Sequence, residues 1–496
     1  MSVAVALSLA FALGIVAFTA AAGIFASIAA GVAAAVLAAA MGGVLFWRSP
    51  PVPLEEAAAP RALRVVALLA AALALLQFGR LAVFMADASR TGFSTVPSSE
   101  WEVRHSCVTA YYVAGKAASD VPNVYDDALY SLPGDRSAPR RPRLLDGFRV
   151  DVYEYPPPFL LLPRLLFRVA PDFARFRLVW FALNLAVVLA VLLAVARRLG
   201  PAAGTRALLL SSLVWASPPL VNAFQKENVQ MLIVALSVLA MLLFERRRWA
   251  AGGFLLAFAI ASKLYPGMLV PYLLFRRRWR AVAWTAGFGV AIVAVSLLDT
   301  GWAPYAAFLH HLPALLSGEA FPAFRNPVAT AINFSIPGLA FKLKLFGVPG
   351  MGFGAAKVLG WASTLAALGL IVRAARGSEE KDEPRTWLAI VLLATLCSPF
   401  LPQSYACFPP LWLLTLLAAG QRPVGRTLAA TLVAWVVLSA HVPGGAPLDP
   451  RLIALICLPA QALSAALAVV AVDRGVRPGG APSPSRLEPA AGTTLA

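Results

Sequence analysis

Residues 246–278 read RRRWAAGGFLLAFAIASKLYPGMLVPYLLFRRR. Two arginine triplets bracket an apolar stretch whose only charge is Lys263. One continuous helix of that length would rise about 40 Å, enough to cross a hydrocarbon core of roughly 30 Å. It would also leave one triplet on each side of the membrane, whereas arginine-rich loops collect on the cytoplasmic side. The break at Lys263-Leu264-Tyr265-Pro266 resolves the conflict. Two half-helices of about 12 residues, about 18 Å each, enter and return on the same side. The alternative is a single tilted span that violates the charge rule. Backbone that breaks at membrane depth is tolerated where it is buried in protein or lines a wet cavity. The stretch therefore predicts a membrane protein with a re-entrant hairpin and a lysine near its tip.

The whole chain agrees. Its 496 residues are 60% hydrophobic and 13% charged, against roughly 25% charged in soluble chains. Soluble multi-domain enzymes, fibrous proteins and disordered chains are excluded. A net charge of +18 comes from short clusters between apolar runs, such as Arg197-Arg198 and Arg422 with Arg426, rather than from a basic stripe interleaved with aromatics. That is a topology signal, and nucleic acid is not the expected partner. Cys107, Cys397, Cys407 and Cys457 form no CxxC pair, so no disulfide framework or zinc motif is indicated. The first basic residue is Arg48, so the charged start of a cleavable signal peptide is missing.

Alternating the arginine clusters across the membrane gives an all-α polytopic protein of about 12 crossings plus the re-entrant hairpin. Residues 1–47 form an N-terminal hairpin, 48–472 the main membrane domain, and 473–496 a disordered cytoplasmic tail rich in Pro, Gly and Ser. A span at 65–86 leads to a large outer loop, 87–177, in which 156–170 suits an interfacial helix. Spans follow at 178–196, 206–244 (a hairpin), 281–298, 350–373, 386–400, 403–419, 427–441 and 452–472.

With this topology the polar residues converge on the outer side. The loop carries Glu100, Glu102, Arg104 and His105, then Tyr111, Tyr112, Asp126 and Asp127, then Arg149, Asp151, Glu154 and Tyr155. Later outer turns add Lys226, Glu227, Asn228, Lys263, Arg325, Asn326, Gln403 and Tyr405. Ionisable groups near a membrane are costly and mark functional sites. Each also has a plainer reading: solvated loop charges for the acids, an interfacial aromatic belt for Tyr111 and Tyr112, a structural role for a single histidine. His310 and His311 are adjacent and do not share a helix face, so no metal is expected there.

YYVAGKA at 111–117, VYDDALY at 124–130 and EYPPPFLLLPRLL at 154–166 resemble glycosyltransferase family 87, integral-membrane enzymes of the C-type glycosyltransferase superfamily. LVWFALNLAVVLAVLLA at 178–194 and AGGFLLAFAIASKLYPGMLVPYLLFRRRWR at 251–280 are similar to later family elements, in matching order. The family's Asp before the tyrosine pair falls at Cys107, its Gly-Gln-Val-Asn turn at Glu227-Asn228-Val229-Gln230, and its late His-His-Tyr element at Gln403-Ser404-Tyr405. The resemblance implies a bacterial inner-membrane enzyme that moves a hexose, mannose by similarity, from a polyprenyl-phosphate donor to a glycolipid or cell-envelope glycan acceptor, on the non-cytoplasmic face and with inversion.

Such chemistry needs a base within roughly 3 Å of the acceptor hydroxyl and cations for the donor phosphate. Glu102 is the first candidate base, then Glu100, His105 and Asp151. Arg104, Arg149, Lys226 and Lys263 are candidate phosphate ligands, and Tyr111, Tyr112 and Trp101 offer faces for a sugar. Glu154, Tyr155, Glu227, Asn228, Arg325, Asn326, Gln403 and Tyr405 complete the expected binding set. The leaving phosphate is already charged, so no metal or other cofactor is expected. Two other classes stay open: a transporter or lipid flippase, against which stands the lack of a second broken hairpin, and a non-catalytic scaffold, which Cys107 in place of the family's Asp would suit.

Overall fold

A computed structural model describes residues 1–137, 140–377 and 383–476. Apart from a two-stranded hairpin, the described residues fold as helices and turns. Among the described residues, seven helices are long and apolar enough to cross a membrane: Ser2–Phe25, Ile28–Arg48, Arg61–Ala86, Phe173–Arg198, Trp279–Thr300, Phe353–Gly377 and Pro450–Asp473. An eighth candidate is the pair Gly200–Trp215 and Pro218–Gln225, bent by 66° at Ser217 and its neighbours. Fewer elements reach spanning length than the expected 12 crossings. Several apolar runs end early, because polar turns at 226–229, 263–264 and 397–407 interrupt them. Gln230–Glu245 has only 16 residues and Glu383–Leu396 only 14, and both are buried nearly all round. Helices wrapped in protein have no need to match the bilayer. Most of the expected tail, 477–496, lies outside the described residues.

One end of the molecule gathers the arginine clusters. Arg198 clasps Glu245 at 2.5–2.9 Å, and Arg276 and Arg278 reach the fully buried Glu383 at 2.9 and 2.6 Å. Arg206 donates to the Ala419 carbonyl at 2.7 Å, and the Glu55 amide to Thr205 at 2.9 Å. At the opposite end Arg164 pairs with Asp299 at 2.6 Å, and Lys263 donates to Gln230 at 2.9 Å. Trp249–Ser262 therefore runs away from the arginine end, and Leu269–Phe275 returns to it. Gly253 sits against Trp284 and Thr285, which brings the start of the first half-helix beside the start of the helix that follows the second.

The N-terminal hairpin turns at Ala26, in the left-handed region (φ 51°), and Ser27 caps the second helix through the Ala30 amide. Gly31 lies so close to the Phe18 carbonyl that a β-carbon would come within 2.9 Å. Small residues let two apolar helices approach closely in lipid. Arg175 ties the turn to Phe173–Arg198, donating to the carbonyls of Gly23 and Ile24 at 2.8 and 2.6 Å.

Candidate active site

The outer loop is sewn onto one polar strip, Asn222–Val229, where the chain breaks between two helices. Asn222, Gln225 and Lys226 stand three and four apart and so share a helix face. Gln225 accepts from the Thr95 amide at 2.6 Å and donates to the Glu102 carbonyl at 2.8 Å. The Lys226 carbonyl accepts from the Cys107 amide at 2.8 Å, and the Val229 amide donates to the Tyr111 hydroxyl at 3.2 Å. Glu227, at φ 57°, meets buried Arg177 at 3.1 Å and accepts from Ser106 at 2.6 Å. Arg177 in turn lies over the Phe148 ring, 4.1 Å from its centroid.

Glu102 is wholly enclosed by this suture. Its carboxylate receives Lys226 at 3.0 Å, Asn222 at 2.8 Å and the Gly444 amide at 2.5 Å. Burial alone would push its carboxyl up, but Lys226, Asn222 and Gly444 together hold it at about 2. The side chain is 0% exposed, and its donors come from two distant parts of the chain, 222–226 and Gly444. Glu100, two residues away, faces outward with Arg104 at 3.3 Å and Arg149 at 3.5 Å.

A second constellation lies beside it. Asp146 and Gly147, at φ 47° and 83°, make the tight turn between Leu144–Leu145 and Phe148–Arg149, in the left-handed conformations that two-residue hairpins favour. Arg149 then pairs parallel with His105, its amide donating to the Arg104 carbonyl at 2.9 Å. This register sets Asp151 alongside Cys107. His105 Nδ1 is 3.4 Å from Asp151 Oδ1. His105 Nε2 faces the Tyr405 hydroxyl at 3.3 Å and Cys107 Sγ at 3.8 Å. Tyr405 meets Cys107 Sγ at 3.0 Å, and Asn228 Nδ2 approaches the same sulfur at 3.4 Å. Trp101 stacks on the imidazole with centroids 4.8 Å apart.

Burial holds the His105 imidazole below its ordinary value against the pull of Asp151. It raises the Asp151 carboxyl, with His105 opposing. Glu154 is pushed up to about 8 by burial and by Asp151, with Lys263 opposing.

Tyr155 links this cluster to the hairpin tip. Its hydroxyl meets Tyr111 at 2.9 Å and Asn228 at 3.4 Å, and Lys263 Nζ stands 5.2 Å from its ring centroid. Lys263 has no carboxylate partner among the described residues, whereas Lys226 is consumed by Glu102. The other expected binding residues stand apart. Tyr112 donates to the Pro171 carbonyl at 2.8 Å and packs on Phe167, Phe173 and Phe176. Arg325 and Asn326 are on an exposed turn, where Asn326 caps Pro327–Ala331. Gln403 is buried, donating to the Ala440 carbonyl and accepting from Val442. Asn222, Ser106, Arg177 and Gly444 escaped the sequence reading. Only Asn222 had a signal, its helix-face spacing to Gln225 and Lys226.

Fold and site together define a polytopic helical membrane protein with a polar, titratable cluster where a large loop meets broken helices. Residues 153–399 match the profile of Glycosyltransferase family 87. The chain belongs to that family and is a transferase. No curated protein and no solved structure matches it. Asn228 and Lys263 fall inside the matched segment, while His105, Cys107, Asp151 and Tyr405 lie outside it.

Proposed function

We propose that this membrane glycosyltransferase moves a hexose, mannose first, from a polyprenyl-phosphate donor to a glycolipid or cell-envelope glycan on the non-cytoplasmic face of a cell membrane. The observation that carries this reading is His105 beside Asp151, together with Lys263, which stands over Tyr155 with no carboxylate partner among the described residues. The acceptor oxygen attacks the anomeric carbon. The carbon–oxygen bond to the phosphate breaks, and its electron pair leaves with the polyprenyl phosphate. The hydroxyl proton passes to His105 Nε2, which burial keeps neutral and available. Asp151 balances the imidazolium that forms, and Lys263 supplies a point charge to the departing phosphate. Glu154, protonated at neutral pH by its raised value, both donates to and accepts from sugar hydroxyls. Glu102 serves as the anchor of the loop.

Purified protein mixed with polyprenyl-phosphate radiolabelled mannose and a membrane-lipid extract tests the donor class. Label is expected in a lipid or glycan product. Absence of transfer with mannose, glucose and arabinose forms of the donor, alongside transfer from a nucleotide sugar, would overturn the proposal.

A further inference from the structure

We propose that Cys107, His105 and Asp151 form a three-ligand site for a thiophilic divalent cation, Zn2+ first. One sulfur, one ring nitrogen and one carboxylate oxygen lie within 4.8 Å of one another. Zinc bonds of about 2.0–2.3 Å place the corners of a tetrahedron roughly 3.3–3.6 Å apart. His105 offers one of its two nitrogens to the ion: Nδ1 stands 3.4 Å from Asp151 Oδ1, and Nε2 stands 3.8 Å from Cys107 Sγ. His105 Nδ1 is also a buried nitrogen with no hydrogen-bond partner, since its approach to Asp151 lacks the alignment of a hydrogen bond.

The surroundings suit a metal. Asn228 Nδ2 points at the sulfur at 3.4 Å, an outer contact of the kind that steadies a thiolate. Trp101 fixes the imidazole plane, and the Tyr405 hydroxyl stands 3.0 Å from Cys107 Sγ and 3.3 Å from His105 Nε2. A thiolate and an imidazole select zinc or cobalt over magnesium. On binding, the Cys107 thiol gives its proton to solvent and the sulfur takes the metal bond in its place.

If His105 is the base, as the reading above has it, an ion here removes it from catalysis, and zinc inhibits. Binding itself does not depend on that reading. The test is titration of the reduced, full-length protein in detergent with Co2+ as the probe. One equivalent should produce a thiolate-to-cobalt charge-transfer band that equimolar Zn2+ abolishes. Cys107→Ser and His105→Gln should each lose the band, while Cys407→Ser keeps it. A wild-type protein that shows no such band, or a band that survives Cys107→Ser with the variant folded by size exclusion, would overturn the site. A band without inhibition of transfer by zinc leaves the site standing and contradicts His105 as base.

Discussion

Glu102 and His105, three residues apart, have opposite fates. Glu102 is sealed against Lys226, so Glu102→Gln strands a buried ammonium. Breaking such a pair costs about 3–5 kcal/mol. The expected outcome is a lower unfolding temperature and easier proteolysis of the 87–172 loop. The ionised Glu102 carboxylate stabilises the fold fully above its unfolded value of about 4.3, and that contribution declines as pH falls from there and is gone below about 2. Loop protection should therefore fade between about pH 4 and pH 2. His105 titrates in the other sense. Its protonated form is inactive as a base, so transfer should rise with pH through a value below the usual 6.5 or so. Asp151 pulls that value up, so Asp151→Asn should move the acid limb lower still while cutting the rate. A pH profile of the two proteins checks both signs. Read along the chain, Glu102 ranks ahead of His105 as a base. Nothing local corrects that order, because Asn222 and Gly444, which enclose Glu102, lie 120 and 342 residues away.

Among the elements, the apolar runs and arginine clusters made the long helices legible. Arg61–Ala86 falls within a few residues of the expected span at 65–86. The short central helices were not legible as short, since an apolar stretch looks the same whether lipid or protein surrounds it. The Asp146-Gly147 turn, which sets Arg149 beside His105, sits in a loop whose long-range pairing no periodicity reveals. The N-terminal hairpin rests on glycine contacts. A β-carbon at Gly23 would lie 2.8 Å from Val179 and 2.9 Å from Leu178. Gly23→Leu should push the hairpin off Phe173–Arg198, at a cost of roughly 1–3 kcal/mol. A lower unfolding temperature and trypsin cleavage near Arg48 would register the loss. Gly79→Leu, with open space around it, should leave both unchanged.

At the scale of the molecule, charge sorts the two ends. The loop at 48–64, the clusters at 197–206, 245–248, 276–280 and the turn at 419–426 share one end, tied by Glu55–Thr205, Arg198–Glu245 and Arg206–Ala419. The positive-inside rule predicts a cytoplasmic location for that end and an external one for the His105 cluster. Native cysteines are buried or half-buried, so a new surface cysteine reads out alone. Ser119→Cys should react with an impermeant maleimide from outside intact cells, and Gln421→Cys only after lysis. The reverse pattern would put the site in the cytoplasm.

The central claim is that His105, held beside Asp151, takes the acceptor's proton. Transfer from polyprenyl-phosphate mannose by wild type and His105→Gln tests it most directly, with unfolding temperature and donor binding measured on the same samples. The account predicts a fall of roughly 10²–10⁴-fold in turnover with folding and donor binding retained. A His105→Gln protein that transfers sugar at the wild-type rate would contradict it.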